Sequence, residues 1–465
     1  MGRSGLVARR EEAVLSTPAE FRRWWEERRG ARRMRVTEVG LHALERWHVD
    51  PVTGNLGHTS GRFFTVEGLG VRVAGASRHA HPVINQPEIG VLGLLVRDID
   101  GVPHCLVQAK EEPGNIDGPQ LSPTVQATRS NHTRVHGGRR PPHLEHFVGP
   151  GRGEVLVDVL QSEQGGWFWR KRNRNMVVRV PGPVPVDDNF RWLPLPLLHA
   201  LLRVDNLVNM DTRTVLACMP LPVGRGDRES AADDPLTRSF HPDAPARHTT
   251  ADLLSWFTEA KTWCDWSARL IPLAEVPGWS ITGGRLVDDR RRDFAVLGLR
   301  VEAGGREITG WDQPLLRPPG PGSAVLVIRP IEGVTHVLVQ ARPEYGLLDT
   351  VEMAPSHQWL PGADRSLIGD PFTVTIPGLG HGEPPGGPVR HDVVLSEEGG
   401  RFHEALTRYR IVEVGEDFPL DLPPAFRWAT AAQLTGLLRH GHYLNVEART
   451  LLACLRALVI APPAG

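Results

Sequence analysis

Val107-Gln108-Ala109-Lys110 returns 232 residues later as Val339-Gln340-Ala341-Arg342, and this echo organises the whole chain. Trp24 and Trp47 match Trp256 and Trp279 at the same shift. Ser162-Glu163-Gln164-Gly165-Gly166 becomes Ser396-Glu397-Glu398-Gly399-Gly400 at 234, and Phe190-Arg191-Trp192 becomes Phe426-Arg427-Trp428 at 236. Leu207-Val208-Asn209 through Cys218 matches Tyr443-Leu444-Asn445 through Cys454, so two of the four cysteines are copies of one core position. The matches are collinear from near residue 21 to 219 and again from 253 to 455. So long a period describes two globular domains, since solenoid units run to about 20–50 residues. Residues 1–225 form the first repeat and 250–465 the second. Between them, 226–249 has the Gly, Asp, Pro, Ser and Arg composition of an exposed linker.

Each copy opens with a predicted helix, Pro18 to Arg29 and Thr250 to Asp265, Trp24-Trp25 and Trp256-Phe257 lying on the apolar face. Short apolar runs then flank Asp98-Ile99-Asp100-Gly101 and, in the second copy, Glu332-Gly333, the signature of a hairpin. Further strands are expected at Val155 to Leu160 and Met176 to Val180, echoed at Asp392 to Leu395 and Tyr409 to Val414. A closing helix follows at Asn209 to Met219 and Asn445 to Val459. The class is α+β, with mixed or antiparallel sheets and few helices. A doubly wound sheet is excluded by the lack of alternating strand and helix runs and of a GxGxxG turn.

With 53 Lys+Arg against 54 Asp+Glu and 40% hydrophobic residues, the chain is globular in composition and lacks the basic excess of a nucleic-acid binder. Cys105, Cys218, Cys264 and Cys454 form no CxxC or CxxH pair, which argues against structural zinc and thioredoxin-like chemistry. No run of about 18 apolar residues suggests a membrane span, and no apolar stretch follows the basic N-terminus, so a cytoplasmic protein is expected. The spacing of His79, His81 and Glu88, and of His132, His136, His143 and His146, matches no metal motif, and no metal is expected.

Two segments carry the polar chemistry. Gln108-Ala109-Lys110-Glu111-Glu112-Pro113-Gly114-Asn115, continued by Gln120 to Asn131, offers amides, hydroxyls, an ammonium and a guanidinium, suited to a nucleotide sugar. Its other reading is a long loop whose Ser, Thr and Asn cap turns. Ser162 to Asn175 sets four positive charges beside Trp167, Phe168 and Trp169, fit either for a diphosphate and stacked base or for a solvated hairpin end. Only three of the 53 basic residues are lysine, and two of them, Lys110 and Lys171, fall in these segments. Lysine loses its proton on desolvation where arginine does not, so Lys110 marks a working pocket whose counterpart around Arg342 does not work. Trp311-Asp312-Gln313-Pro314, parallel to Gln86-Pro87, reads as an entry to a strand.

Gln108-Ala109-Lys110, Glu112-Pro113-Gly114-Asn115, Gln120 to Asn131 and Thr133-Arg134-Val135-His136 together resemble the NDP-hexose 2,3-dehydratases of deoxysugar biosynthesis, as do Ser162 to Phe168, Lys171 to Asn175 and Trp256 to Lys261. The resemblance implies a homodimer of tandemly duplicated Nudix-like domains with two nucleotide-sugar pockets, one of them catalytic. It implies action on dTDP-4-keto-6-deoxy-D-glucose without a cofactor, the product passing to an NADPH-dependent 3-ketoreductase. The second copy departs from the motif: Gln120 to Gln126 reads QLSPTVQ, whereas Glu352 to Gln358 reads EMAPSHQ. The metal-binding box of Nudix hydrolases is absent from both copies, which argues against diphosphate hydrolysis.

Such a reaction needs a base at C3, an acid for the departing C2 hydroxyl and support for an enolate. Glu163 or a desolvated Lys110 is the expected base, with Lys110 alternatively the enolate stabiliser. Gln108, Gln120, Ser122, Thr124, Gln126, Ser130, Asn131, Thr133, Trp167 and Lys171 are expected around the substrate, with Arg129, Arg134 and Arg172 on the diphosphate. A Nudix-type hydrolase and a silent nucleotide-sugar binder are the rival readings.

Overall fold

The computed structural model describes residues 13–31, 34–73, 79–128, 141–149, 152–220, 234–304, 309–359 and 386–460. These form two seven-stranded and two five-stranded sheets, with helices packed mainly on the larger pair.

Each large sheet grows from the expected hairpin. In the first repeat Gly90–Ile99 and Val102–Lys110 pair antiparallel across Asp100 and Gly101, both with positive φ (51° and 77°). The second repeat repeats this at Gly322–Ile331 and Val334–Pro343, with Glu332 and Gly333 at 50° and 74°. Positive φ at both central residues gives a turn whose twist matches that of the strands. Beyond Leu95 and Leu106 the two strands part, and Gln120–Pro123 and Val125–Ala127 enter the fork, one pairing to each arm. The Thr124 hydroxyl sits in the fork, accepting from the Leu95 amide (2.9 Å) and donating to the Leu106 carbonyl. Ser356 does the same between Val327 (2.8 Å) and Leu338 (2.6 Å). Arg172–Arg179 then pairs parallel to Gly90–Ile99 and antiparallel to Glu154–Ser162, so the sheet is mixed.

In the smaller sheets the two repeats exchange strands. Met34–Val39 of the first repeat pairs with Ala295–Ala303 of the second, and Ser267–Ile271 of the second pairs with Thr65–Arg72 of the first. Each repeat thus donates to the other the strand that follows its opening helix. The repeats are continuous in sequence, but their sheets are shared. Part of the expected linker also packs down. Pro235–Ser239 is a short helix capped by Asp234, with Leu236 and Ser239 buried, and the Ala431 amide donates to the Ser239 hydroxyl at 2.8 Å.

The closing helices Met210–Cys218 and Val446–Ile460 lie together in a core that draws residues from both repeats. Their arginines are buried and cross over. Arg213 donates to the Val208 carbonyl (2.8 Å) and to the Ser396 carbonyl of the second repeat (2.9 Å). Arg449 donates to the Leu444 carbonyl (2.6 Å) and to the Ser162 carbonyl of the first (2.5 Å). Hydrogen bonds from a charged donor are worth about 1.5–3 kcal/mol each, and removal also strands the carbonyls. Arg449→Met should therefore lower stability by roughly 3 kcal/mol, read as a lower urea midpoint; an unchanged midpoint would show that the crossing bonds do not hold the repeats together.

Candidate functional site

A cavity of about 530 Å³ opens between the first repeat's large sheet and segments of the second repeat. Its floor carries Lys110 at the end of one hairpin strand, Gln126 from the fork, and Glu163, Lys171 and Asn173 from the paired strands beyond. Asp211, from the first turn of the closing helix, looks in from the same side. Glu398, Gly400 and Arg401 enter from the second repeat, while Trp47, Phe63 and Phe64 with Trp311 and Asp312 build an aromatic and acidic wall from the two small sheets.

Backbone docking between the repeats sets this arrangement. The Gly114 amide donates to the Gly399 carbonyl (2.7 Å), and the Glu404 amide returns a bond to the Gly114 carbonyl (2.8 Å). A Cβ at Gly114 would overlap the Phe402 carbonyl oxygen, so only glycine fits. The symmetric copy joins Gly346 to Gly165 (2.8 Å) and Arg170 to Gly346 (2.6 Å).

Glu163 is buried, and Asn173 donates to its Oε1 at 2.5 Å, while Oε2 has no hydrogen-bond partner among the described residues. Burial pushes its carboxyl up to about 7, with the positive charges of Arg449 and Lys171 pulling the other way. Lys171 is buried beside it and donates to the Glu88 carbonyl. Desolvation brings its ammonium down to about 8, opposed by Glu163. Burial also raises Glu398, which accepts from the Gly400 amide at 2.8 Å. Arg401 stacks over Phe64 at 4.3 Å and donates to Gln86 at 3.1 Å. Lys110 forms an ion pair with Glu112 at 2.6 Å and donates to Gln126 at 3.0 Å.

The pseudo-equivalent centre has the same backbone and different side chains. Ala405 stands where the first has Lys171, Trp167 where it has Arg401, Gln164 where it has Glu398 and Tyr409 where it has Asn175. Glu397, the copy of Glu163, has both oxygens occupied, by Gln164 at 2.8 Å and Tyr409 at 3.1 Å. Trp167 and Ala405 are buried there, Trp167 packing on Phe402 at 4.7 Å.

A family model for NDP-hexose 2,3-dehydratase matches residues 18–219 and 250–455, the two repeats in turn. The chain belongs to this family. A Saccharopolyspora spinosa relative named dTDP-4-dehydro-6-deoxy-alpha-D-glucopyranose 2,3-dehydratase is 45% identical over 94% of this chain and 91% of its own. Proteins of the same name from Streptomyces violaceoruber (46%; 96% of this chain and 98% of the relative) and Amycolatopsis orientalis (42%; 100% and 95%) are similar throughout.

The cavity gathers Lys110, Gln126, Glu163 and Lys171 of the expected residues, and not the others that the structure describes. Thr124 serves the strand fork, and Ser122 accepts from Asn209 at 2.9 Å, both buried away from the cavity. Gln120 donates to the Asn206 carbonyl at 2.9 Å and to Ser396, and Gln108 lies on the hairpin strand outside the lining. Trp167 belongs to the second centre, and Phe168 lines the first. Arg172 falls between Lys171 and Asn173 on a strand whose side chains alternate, so it points to the other face, where its neighbour Arg174 pairs with Asp158 at 2.5 Å. Arg129, Ser130, Asn131, Thr133 and Arg134 lie outside the described residues.

Sequence reasoning missed Asp211, Glu398, Arg401 and the small-sheet wall. It also read Trp311 to Pro314 only as a strand entry; they do lie in the strand Gly310–Arg317, yet Trp311, Asp312 and Gln313 line the cavity. Asp312 is held by Arg300 (2.9 and 3.1 Å) and receives the Glu45 amide at 2.7 Å. A signal for Arg401 was present, because the two copies of the Gly-Gly turn differ directly after the glycines, Trp167 against Arg401. His143, Glu145 and His146 bring potential ligand atoms within 4.8 Å of one another, but against Phe190 and outside the cavity lining.

Infrared difference spectra taken across pH 6 to 8 should show a buried carboxyl losing its proton as pH rises through about 7. The band should vanish in Glu163→Gln; its persistence would assign that titration to another group.

Proposed function

We propose that the protein acts on dTDP-4-keto-6-deoxy-D-glucose, removing the C2 hydroxyl as water to give the 3,4-diketo-2,6-dideoxy sugar, in the cavity around Glu163. The observation that carries this reading is a buried carboxyl with one unpartnered oxygen, flanked by Lys171 and facing a cavity of nucleotide-sugar size. The relatives' shared name supports the substrate.

The C4 ketone acidifies the C3 hydrogen. Glu163 takes this proton through Oε2, while Asn173 fixes the other oxygen. A carboxyl titrating near 7 is ionised in part at neutral pH and is basic enough for the task. Lys171 places a positive charge beside it for the enolate oxygen. Lys110, paired with Glu112 and donating to Gln126, supports the enolate rather than acting as the base, and Gln126 binds the sugar. Trp47, Phe63 and Phe64 offer ring faces to the thymine. Arg46 and Arg401 join Arg129 and Arg134 as diphosphate contacts, in place of Arg172. Expulsion of the C2 hydroxyl then leaves an enol that tautomerises to the diketone, with no net redox change.

The second centre is read as degenerate, because Glu397 has no free oxygen and Lys171 has no counterpart there. Each large mixed sheet with its closing helix is read as Nudix-like. The same reading takes the protein as a homodimer whose product is consumed by an NADPH-dependent 3-ketoreductase.

Incubation with dTDP-4-keto-6-deoxy-D-glucose should give loss of one water, trapped by a 3-ketoreductase with NADPH. The rate should rise with pH through about 7 as Glu163 ionises and fall above about 8 as Lys171 loses its proton. Glu163→Gln should cost about 10²–10⁴-fold in kcat. Binding without turnover, or cleavage of the diphosphate, would overturn the reading.

A further inference from the structure

Asp211 is the buried carboxyl of the cavity that the steps above leave unused. It occupies the second position of the helix Met210–Cys218, and that helix start is pinned from several sides. Asn209 caps it by accepting from the Thr212 amide at 2.9 Å and donates to Ser122 at 2.9 Å. Thr212 bonds the Leu121 carbonyl at 2.9 Å. Asp211 therefore has a fixed place, 2% exposed, and its Oδ1 has no hydrogen-bond partner among the described residues although the side chain lines the cavity.

The groups facing it are Glu398 and Arg401 from the second repeat, Glu163 from the strand end, Lys110 from the end of the hairpin strand and Glu112 from the loop after it. Three carboxyls outnumber the two cations facing it, Lys110 and the Arg401 guanidinium of the second repeat, and so oppose a further negative charge. Burial acts in the same direction and is the larger effect, raising the Asp211 carboxyl well above the usual carboxylate range. The helix N-terminus favours the anion, but only weakly beside desolvation and three like charges.

We propose that Asp211 is a catalytic residue, entering the reaction protonated and giving its proton to the hydroxyl that leaves C2. The proposal rests on the dehydratase reading above and extends it. Glu163 receives the C3 proton, and the electron pair of the C3–H bond forms the enolate. As that enolate collapses, the C2–C3 double bond forms, the C2–O bond breaks, and the Asp211 proton completes the departing water. Asp211 is left as a carboxylate, and the proton held by Glu163 restores the balance when both groups re-equilibrate with solvent. In the second centre the corresponding Glu447 is buried as well, but Glu397 beside it has both oxygens occupied, so a donor there has no base to work with.

The test separates the two halves of the reaction. With dTDP-4-keto-6-deoxy-D-glucose in D2O, NMR follows exchange of the C3 proton and mass follows loss of water. The wild-type protein should dehydrate the sugar. Asp211→Asn exchanges a neutral acid for a neutral amide and should keep the wild-type circular dichroism. It should lose dehydration by 100-fold or more while still washing out the C3 proton within tenfold of the wild-type turnover. Glu163→Gln should lose both. Asp211→Glu, which restores a donor, should recover dehydration at least tenfold over Asn. Dehydration by Asp211→Asn within tenfold of wild type, loss of exchange together with dehydration, or failure of Glu to recover more than Asn would overturn the assignment. A wild-type protein that neither exchanges nor dehydrates would instead remove the dehydratase reading itself, and this proposal with it.

Discussion

The whole site depends on the close docking of two backbone turns. Gly114 meets the Gly399–Glu404 turn at a distance that admits no side chain, and Gly346 meets the Gly165–Arg170 turn in the same way. The crossed arginines work on these turns from behind. Arg449 grips the carbonyl of Ser162, immediately before Glu163, and Arg213 grips that of Ser396, two residues before Glu398. The two carboxyls that enter one cavity from different repeats are thus placed by a single reciprocal interaction. Strand exchange in the small sheets adds to it, because the aromatic wall formed by Trp47, Phe63 and Phe64 is brought against Trp311 and Asp312 by the pairing of Met34–Val39 with Ala295–Ala303.

A symmetric scaffold does not require symmetric chemistry. Burying a carboxyl without a full set of protein partners costs stability. At Glu163 this cost is retained; at Glu397 it is relieved by Gln164 and Tyr409. Trp167 and Ala405 occupy the second centre where Arg401 and Lys171 stand in the first. After duplication the two centres thus differ: one has a buried carboxyl oxygen without a protein partner among the described residues, and the other is packed and hydrogen-bonded.

Much of this was legible in the chain. The hairpins were legible from the apolar runs flanking Asp100-Gly101 and Glu332-Gly333, and the closing helices from the matching stretches Asn209 to Met219 and Asn445 to Val459. The exchanged strands were not legible, because Met34–Val39 finds its partner more than 250 residues away and no local pattern encodes that choice. In the site, Lys110, Gln126, Glu163 and Lys171 could be read from chemistry and motif. The hydroxyls of Ser122, which accepts from the Asn209 side chain, and of Thr124, which serves the backbone at the strand fork, have the same composition as hydroxyls that serve a sugar. Arg172 misled because a run of basic residues on a strand divides between two faces. Glu398 and Arg401 escaped because they belong to the other copy, where only a position-by-position comparison of the repeats would have exposed them.

In the proposed reaction the composite cavity does the chemistry, with the first repeat supplying Glu163 and Lys171 and the second supplying Glu398 and Arg401. A crystal structure with dTDP-6-deoxy-D-glucose, which lacks the C4 ketone and cannot be deprotonated at C3, tests it most directly. The account predicts the sugar with its C3 hydrogen toward Glu163 Oε2 and the Glu398–Arg401 turn in contact with the ligand. A sugar ring seated instead beside Glu397 and Arg342, with the Glu163 cavity vacant, would contradict it.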